Sequence, residues 1–212
     1  MTITRAYIQQ LITEELNKYQ INRITESKPY HGSKIIVFDL DDTLVITSAR
    51  IHVTDPKSNK TYTLTPEEYN AYQAQANDQL DFSEFRSLDI LKAGKLIDYY
   101  LKILQEAYRR GIPVSIVTAR DNRDLIYQWF KEHIGYPIAR TLIYAVTDPV
   151  HDFHGTIADR KKMAFRELID RGYTDFQFYD DDPENLRLVK SIEAEFPNVR
   201  IAARRAYKQY SR

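Results

Sequence analysis

The chain has 212 residues, with 30 lysines and arginines balanced by 30 aspartates and glutamates, and no cysteine. Neutrality gives no overall pull toward nucleic acid or an anionic membrane, and the missing cysteines exclude disulfides, thiolate metal sites and cysteine nucleophiles. No run approaches the roughly 18 apolar residues of a membrane span. The N-terminus lacks the apolar core of a secretory signal, so no membrane role and a cytoplasmic setting are expected.

Residues 2–21 place Ile3, Ile8, Leu11, Ile12, Leu16 and Tyr19 at mostly helical spacing. That spacing predicts an amphipathic helix, and a polar connector runs on to residue 33, where a second domain over 34–212 is expected to begin. Ile35-Ile36-Val37-Phe38 is a short apolar run suited to a buried parallel strand. It stops at Asp39, Asp41 and Asp42. Ile51-His52-Val53-Thr54 and Thr61-Tyr62-Thr63-Leu64 predict a hairpin, and Thr65-Pro66-Glu67-Glu68 a helix start with threonine as N-cap. Residues 77–92 are polar and read as irregular. The stretch 45–92 is too elaborate for a plain strand–helix connection, so a flap or small cap is expected there.

A helix is predicted over 93–110, ended by Gly111, with Pro113 blocking its continuation. Strands over 112–118, 140–146 and 176–179 then precede helices over 121–134, 157–171 and 183–195, and a last strand covers 199–203. This alternation predicts an α/β fold, a Rossmann-like parallel sheet with helices on both faces.

Chemistry-bearing residues gather where strands end, which is where open α/β sheets bind ligands. Three carboxylates within four residues repel one another, and burying them is costly unless cations or protons compensate. A second strand runs into Thr118-Ala119-Arg120, a hydroxyl and a guanidinium able to hold a phosphate. A third runs into Asp180-Asp181-Asp182. Asp159-Arg160-Lys161-Lys162 opens the helix between them.

Asp, Thr, Lys and Asp-Asp in this order resemble the haloacid dehalogenase (HAD) superfamily of phosphohydrolases across roughly residues 34–203. The resemblance implies a magnesium-dependent phosphomonoester hydrolase working through an aspartyl-phosphate. Asp39 would be the nucleophile. Asp41 would protonate the leaving alcohol and activate water, a role that calls for a raised pKa, and its backbone carbonyl would bind the metal. Thr118 would hydrogen-bond the phosphoryl oxygens. Arg120 would contact substrate or form a salt bridge. Asp181 and Asp180 would complete the Mg²⁺ site with Asp39, while Asn185 stands where relatives often carry another acid.

Lys161 and Lys162 compete for the motif lysine. The positions three, four, seven and eight beyond Lys161 are Ala164, Phe165, Leu168 and Ile169, all apolar, whereas those beyond Lys162 are mixed. A lysine on the buried edge can reach the sheet, which favours Lys161.

The 45–92 insertion and the Val-Thr-Ala-Arg segment are similar to phage-encoded HAD proteins, some of them related to the 3′-phosphatase half of polynucleotide kinase-phosphatases. That implies a nucleic-acid 3′-phosphate as substrate and, for a phage protein, the host cytoplasm. A nucleotide or sugar-phosphate phosphatase and a catalytically idle binding protein are the alternatives. No G-x-x-x-x-G-K-[ST] occurs, so no nucleotide cofactor is expected; oligomeric state is left open. A receiver domain uses similar parts in a different order. His151 and His154 sit in a proline-containing loop and are expected to be solvated rather than metal ligands. The segment 200–212, with five cations and no acid, is expected to be a solvated tail.

Overall fold

A computed structural model describes residues 33–208, apart from 56, 58, 59, 74 and 76. The helix expected over 2–21 and the last residues of the basic segment lie outside the described residues.

In chain order the elements are β1 (Lys34–Phe38), β2 (Val45–Ile46), β3 (Ile51–Asp55), β4 (Lys60–Leu64), α1 (Pro66–Ala71), β5 (Gln79–Asp81), α2 (Leu88–Ala93) and β6 (Lys95–Leu96). They continue as α3 (Asp98–Arg109), β7 (Val114–Thr118), α4 (Arg123–Trp129), β8 (Ile143–Ala145), α5 (Ile157–Asp170), β9 (Asp175–Asp180), α6 (Pro183–Lys190) and β10 (Arg200–Arg205).

Five strands form one parallel sheet in the order β10-β9-β1-β7-β8. Strand order reverses at β1, so the crevice for a ligand opens at the carboxyl ends of β1, β7 and β9. The period-2 alternation of β1 splits it between two cores. Ile36 and Phe38 join Leu101, Leu104 and Ala107 of α3 and Ile126 and Trp129 of α4. Ile35 and Val37 join Ala164, Phe165 and Leu168 of α5 and Val189 of α6. Burial on both faces is why this strand is continuously apolar rather than alternating.

Between β1 and α3 the chain builds a separate three-stranded antiparallel sheet, β4-β3-β5, with Ile51 opposite Leu64 and Val53 opposite Leu80. The expected hairpin is present, and Thr65 caps α1 through a full capping box with Glu68. Residues 77–92, expected to be irregular, instead contain β5, a 3-10 turn at Ser83–Arg86 and most of α2. The helix expected from 93 begins at Asp98. Its early start fails at Gly94, where an added Cβ would lie 2.5 Å from Val45 Cγ2 because β2 and β6 pair there.

The later elements differ in extent. The helix expected over 121–134 leaves α geometry at Trp129 for a wide π-type turn, Phe130–Ile134, closed by Gly135 at φ 76. Strand β8 keeps only three of the seven residues expected, because Arg140–Leu142 form a 3-10 turn. Among the described residues no helix is long and apolar enough to cross a membrane.

Candidate active site

Asp39 follows β1 directly, its N–H donating to the Tyr179 carbonyl at 2.9 Å, so β9 fixes its backbone. Asp180 is the last residue of β9, and Thr118 the last of β7. Three strand ends therefore deliver a carboxylate, a carboxylate and a hydroxyl to one crevice. The fourth contribution comes from α5. Lys161, 1 % exposed, reaches between the strands and places Nζ 3.0 Å from Asp39 Oδ1 and 2.7 Å from Asp180 Oδ2.

Helix α5 points this lysine inward because its neighbours on the same face, Ala164, Phe165 and Leu168, are core residues. Lys162 instead pairs with Glu195 at 2.7 Å and donates to Ser191 Oγ at 3.1 Å on the outside of the helix. Burial works against the charge on Lys161, but Asp180 and Asp39 outweigh it and push its pKa above the usual lysine range.

Asp180 is fully enclosed. Its Oδ1 accepts the Asp182 N–H at 2.9 Å and the Asn185 amide at 3.0 Å, while Oδ2 accepts Lys161. Asn185 thus orients a carboxylate where an additional acid would repel it. One ligand atom each from Asp39, Asp180 and Asp181 lie within 4.8 Å of one another. Burial pushes the Asp39 pKa well up, with Asp180, Asp181 and Asp41 adding to it against Lys161. Asp181, raised to about 6 by burial and then by Asp180, meets no comparable cation of its own.

Asp41 lies on the other side of the loop, gripped bidentately by Arg120, Nε to Oδ2 and Nη2 to Oδ1, both at 2.8 Å. Arg120 is 4 % exposed, donates Nη1 to the Phe85 carbonyl and lies over the Phe85 ring at 5.4 Å. Of the two roles the sequence allowed Arg120, its surroundings give the salt bridge, made inside the protein to Asp41 rather than at the surface. Thr118 is buried and its hydroxyl accepts the Arg120 N–H at 3.3 Å. It does not cap the next helix; Asn122 does, accepting the Leu125 N–H.

The described part of the basic segment, residues 200–208, is not simply the solvated tail expected. Lys208 Nζ sits 2.8 Å from both Asp42 Oδ2 and Glu67 Oε1. Nothing in its local sequence marks that partnership, since Glu67 and Asp42 are remote along the chain. His151 is likewise not solvated: its ring stacks against Phe153 at 4.9 Å and Tyr144 at 5.6 Å. His154 pairs with exposed Asp152.

The charges close in an informative way. Asp39, Asp41, Asp42, Asp180 and Asp181, when ionised, face Lys161, Arg120 and Lys208, an excess of two negative charges. Glu67, exposed at the rim, stands outside this ring. One divalent cation balances the remainder, and an oxygen-only donor set with one or two carboxylates free suits hard Mg²⁺. The residues present fit that ion. No protein-family model matches the chain, and no curated protein matches it.

Proposed function

We propose that the chain is a Mg²⁺-dependent phosphomonoester hydrolase of the HAD type, working through an aspartyl-phosphate on Asp39. The observation that carries this reading is the buried lysine bridging two strand-end carboxylates at the sheet's switch point, beside a third carboxylate that forms no ion pair among the described residues. A lone acidic turn would have no reason to bury Lys161 from another element at the cost of desolvating it.

Asp39, Asp181 and, through its remaining oxygen capacity, Asp180 would hold the ion. Bound there, Mg²⁺ supplies charge neutralisation to a phosphate whose anionic oxygens otherwise repel a nucleophile. Lys161 fixes Asp39 through Oδ1 and leaves its second oxygen outside that bond. In the reaction the Asp39 carboxylate bonds to phosphorus, the ester P–O bond breaks, and the leaving oxygen takes a proton from Asp41. Water then attacks phosphorus, gives its proton to Asp41, and the Asp39–phosphorus bond breaks to release phosphate. Thr118 hydrogen-bonds the phosphoryl oxygens. Arg120 is a positioning residue, and Asp41 must give up part of its bidentate grip to hold the proton it transfers.

A nucleic-acid 3′ end as substrate would need cations near the site for phosphodiester contacts. Arg120 is taken by Asp41 and Phe85, and Lys208 by Asp42 and Glu67. That engagement favours a small phosphate monoester over a polyanion. Phosphate release from nucleotides, sugar phosphates and 3′-phosphorylated oligonucleotides, with Mg²⁺ and with EDTA, tests both levels. The expected result is Mg²⁺-dependent release, fastest on small monoesters, lowered at least about 10³-fold in Asp39→Asn. Undiminished turnover in Asp39→Asn would overturn the covalent mechanism. Binding of Mg²⁺ and phosphate without turnover of any substrate would leave an idle HAD-like binding protein.

A further inference from the structure

We infer that Lys208 is a positioning residue of the active site, neutralising Asp42 and so setting the charge that a divalent cation and a phosphate meet. The inference rests on the phosphohydrolase reading.

Beyond β10 the chain turns across the carboxyl end of the sheet. The Ala206 N–H donates to the Asp180 carbonyl at 2.8 Å, and the Tyr207 N–H to the Tyr100 hydroxyl at 2.9 Å. These two bonds deliver Lys208 to its carboxylates. Of the two, Asp42 is the enclosed one: its side chain is 17 % exposed against 76 % for Glu67. Attraction is stronger where solvent is scarcer, so the Asp42 contact dominates and the Glu67 contact is a rim pair.

Asp42 has φ 58, in the left-handed region that non-glycine residues enter uncommonly, aspartate more readily than most. It directly follows Asp41, its N–H donates to the Val45 carbonyl at 2.8 Å, and its charge reaches Asp181. Whatever screens Asp42 therefore acts on the loop carrying Asp39 and Asp41 and on Asp181, one of the carboxylates that would hold the ion.

Removing the Lys208 charge leaves an excess of three negative charges. A divalent cation should then bind more tightly and a phosphate dianion more weakly. The opposite signs are diagnostic, because a contact that only clasped the antiparallel insertion in place would weaken both or neither.

Isothermal titration of the full chain with Mg²⁺ alone, then with inorganic phosphate at saturating Mg²⁺, reads this out without turnover. For Lys208→Met the expected result is Mg²⁺ binding about three- to tenfold tighter and phosphate binding about three- to tenfold weaker. Lys208→Arg and the charge-compensated double variant Asp42→Asn/Lys208→Met should return near wild type. Glu67→Gln should change neither affinity by more than about twofold. Asp42→Asn alone gives the mirror image, looser Mg²⁺ and tighter phosphate, and decides the matter even where Lys208→Met is too unstable to titrate. Both affinities unchanged in Lys208→Met, or both weakened with no recovery in the double variant, would overturn the inference. A wild type that binds neither Mg²⁺ nor phosphate would overturn the phosphohydrolase reading beneath it.

Discussion

Lys161 and Lys162 are neighbours separated by about 100° of helix, and that rotation decides what each costs to remove. Lys161→Ala leaves Asp39 and Asp180 buried with no cation between them, an expected loss of about 3–5 kcal/mol in metal-free protein, together with activity. Lys162→Ala breaks a partly exposed pair with Glu195 and should cost under about 1 kcal/mol in the same urea denaturation series. The apolar face beyond Lys161 made this choice readable from sequence. The anchoring of Asp180 was not: that Lys161, Asp182 and Asn185 fix this carboxylate follows from packing between β9, α5 and α6. Asp181 also sets a pH dependence. Its folded pKa of about 6 lies above the ordinary 3.8, so the folded protein holds that proton more tightly than the unfolded chain. The resulting stability is full below about pH 4 and is lost as pH rises through 6, on the order of 3 kcal/mol, with Asp39 acting in the same direction. His151, pushed by burial toward its neutral form, acts oppositely in this window. Thermal melts in EDTA between pH 4.5 and 7, comparing wild type with Asp181→Asn, isolate the carboxylate: the variant should show a shallower decline, keeping the part that Asp39 contributes. Stabilisation by Mg²⁺ should grow across the same range, because the ion and the proton compete for one carboxylate.

The insertion between β1 and α3 reaches Arg120 through the 3-10 turn at Ser83–Arg86. Phe85, in the 3-10 segment Ser83–Arg86, lends its carbonyl and its ring to Arg120, which grips Asp41. Arg120→Lys keeps the charge but loses the two parallel bonds, so Asp41 should be poorly placed while Asp39 and Lys161 are untouched. The expected signature is a larger fall in kcat/KM for alkyl phosphates, whose leaving group needs a proton, than for nitrophenyl phosphates, whose leaving group needs none. Equal losses on both would place the defect elsewhere. At this scale the sequence showed the hairpin and the start of α1, where turn residues and a capping threonine leave local marks. It hid β5, whose three residues include one apolar side chain, Leu80, too few for a period to show. It hid the end of α2 as well, because Gly94 is demanded by a strand 49 positions earlier in the numbering, at Val45, and no local pattern records such an approach.

At the scale of the whole molecule, strand–helix alternation sufficed for the parallel sheet and its two covered faces, since each βαβ unit carries its own periodicity. Strand order was beyond its reach, and the site depends on that order. Strand β1 is paired on one side by β7 and on the other by β9, with register Lys34 to Asp175 through Phe38 to Tyr179. During synthesis the two sides are not equivalent. While only residues up to 174 have emerged from the ribosome, β7 and α5 are available but β9 is not, and one edge of β1 has nothing to bond to. Asp39 and Lys161 are then present without the carboxylate that completes their bridge. Non-local pairing of this kind is slow and exposes bare strand edges. Nascent chains with residues up to 174 emerged should therefore be cut readily by protease and retained by chaperones, and chains with residue 205 emerged should abruptly resist both. A gradual gain of resistance with length would contradict this. The arrangement that brings the acidic centre together thus also dates it: the centre cannot exist until β9 has left the ribosome.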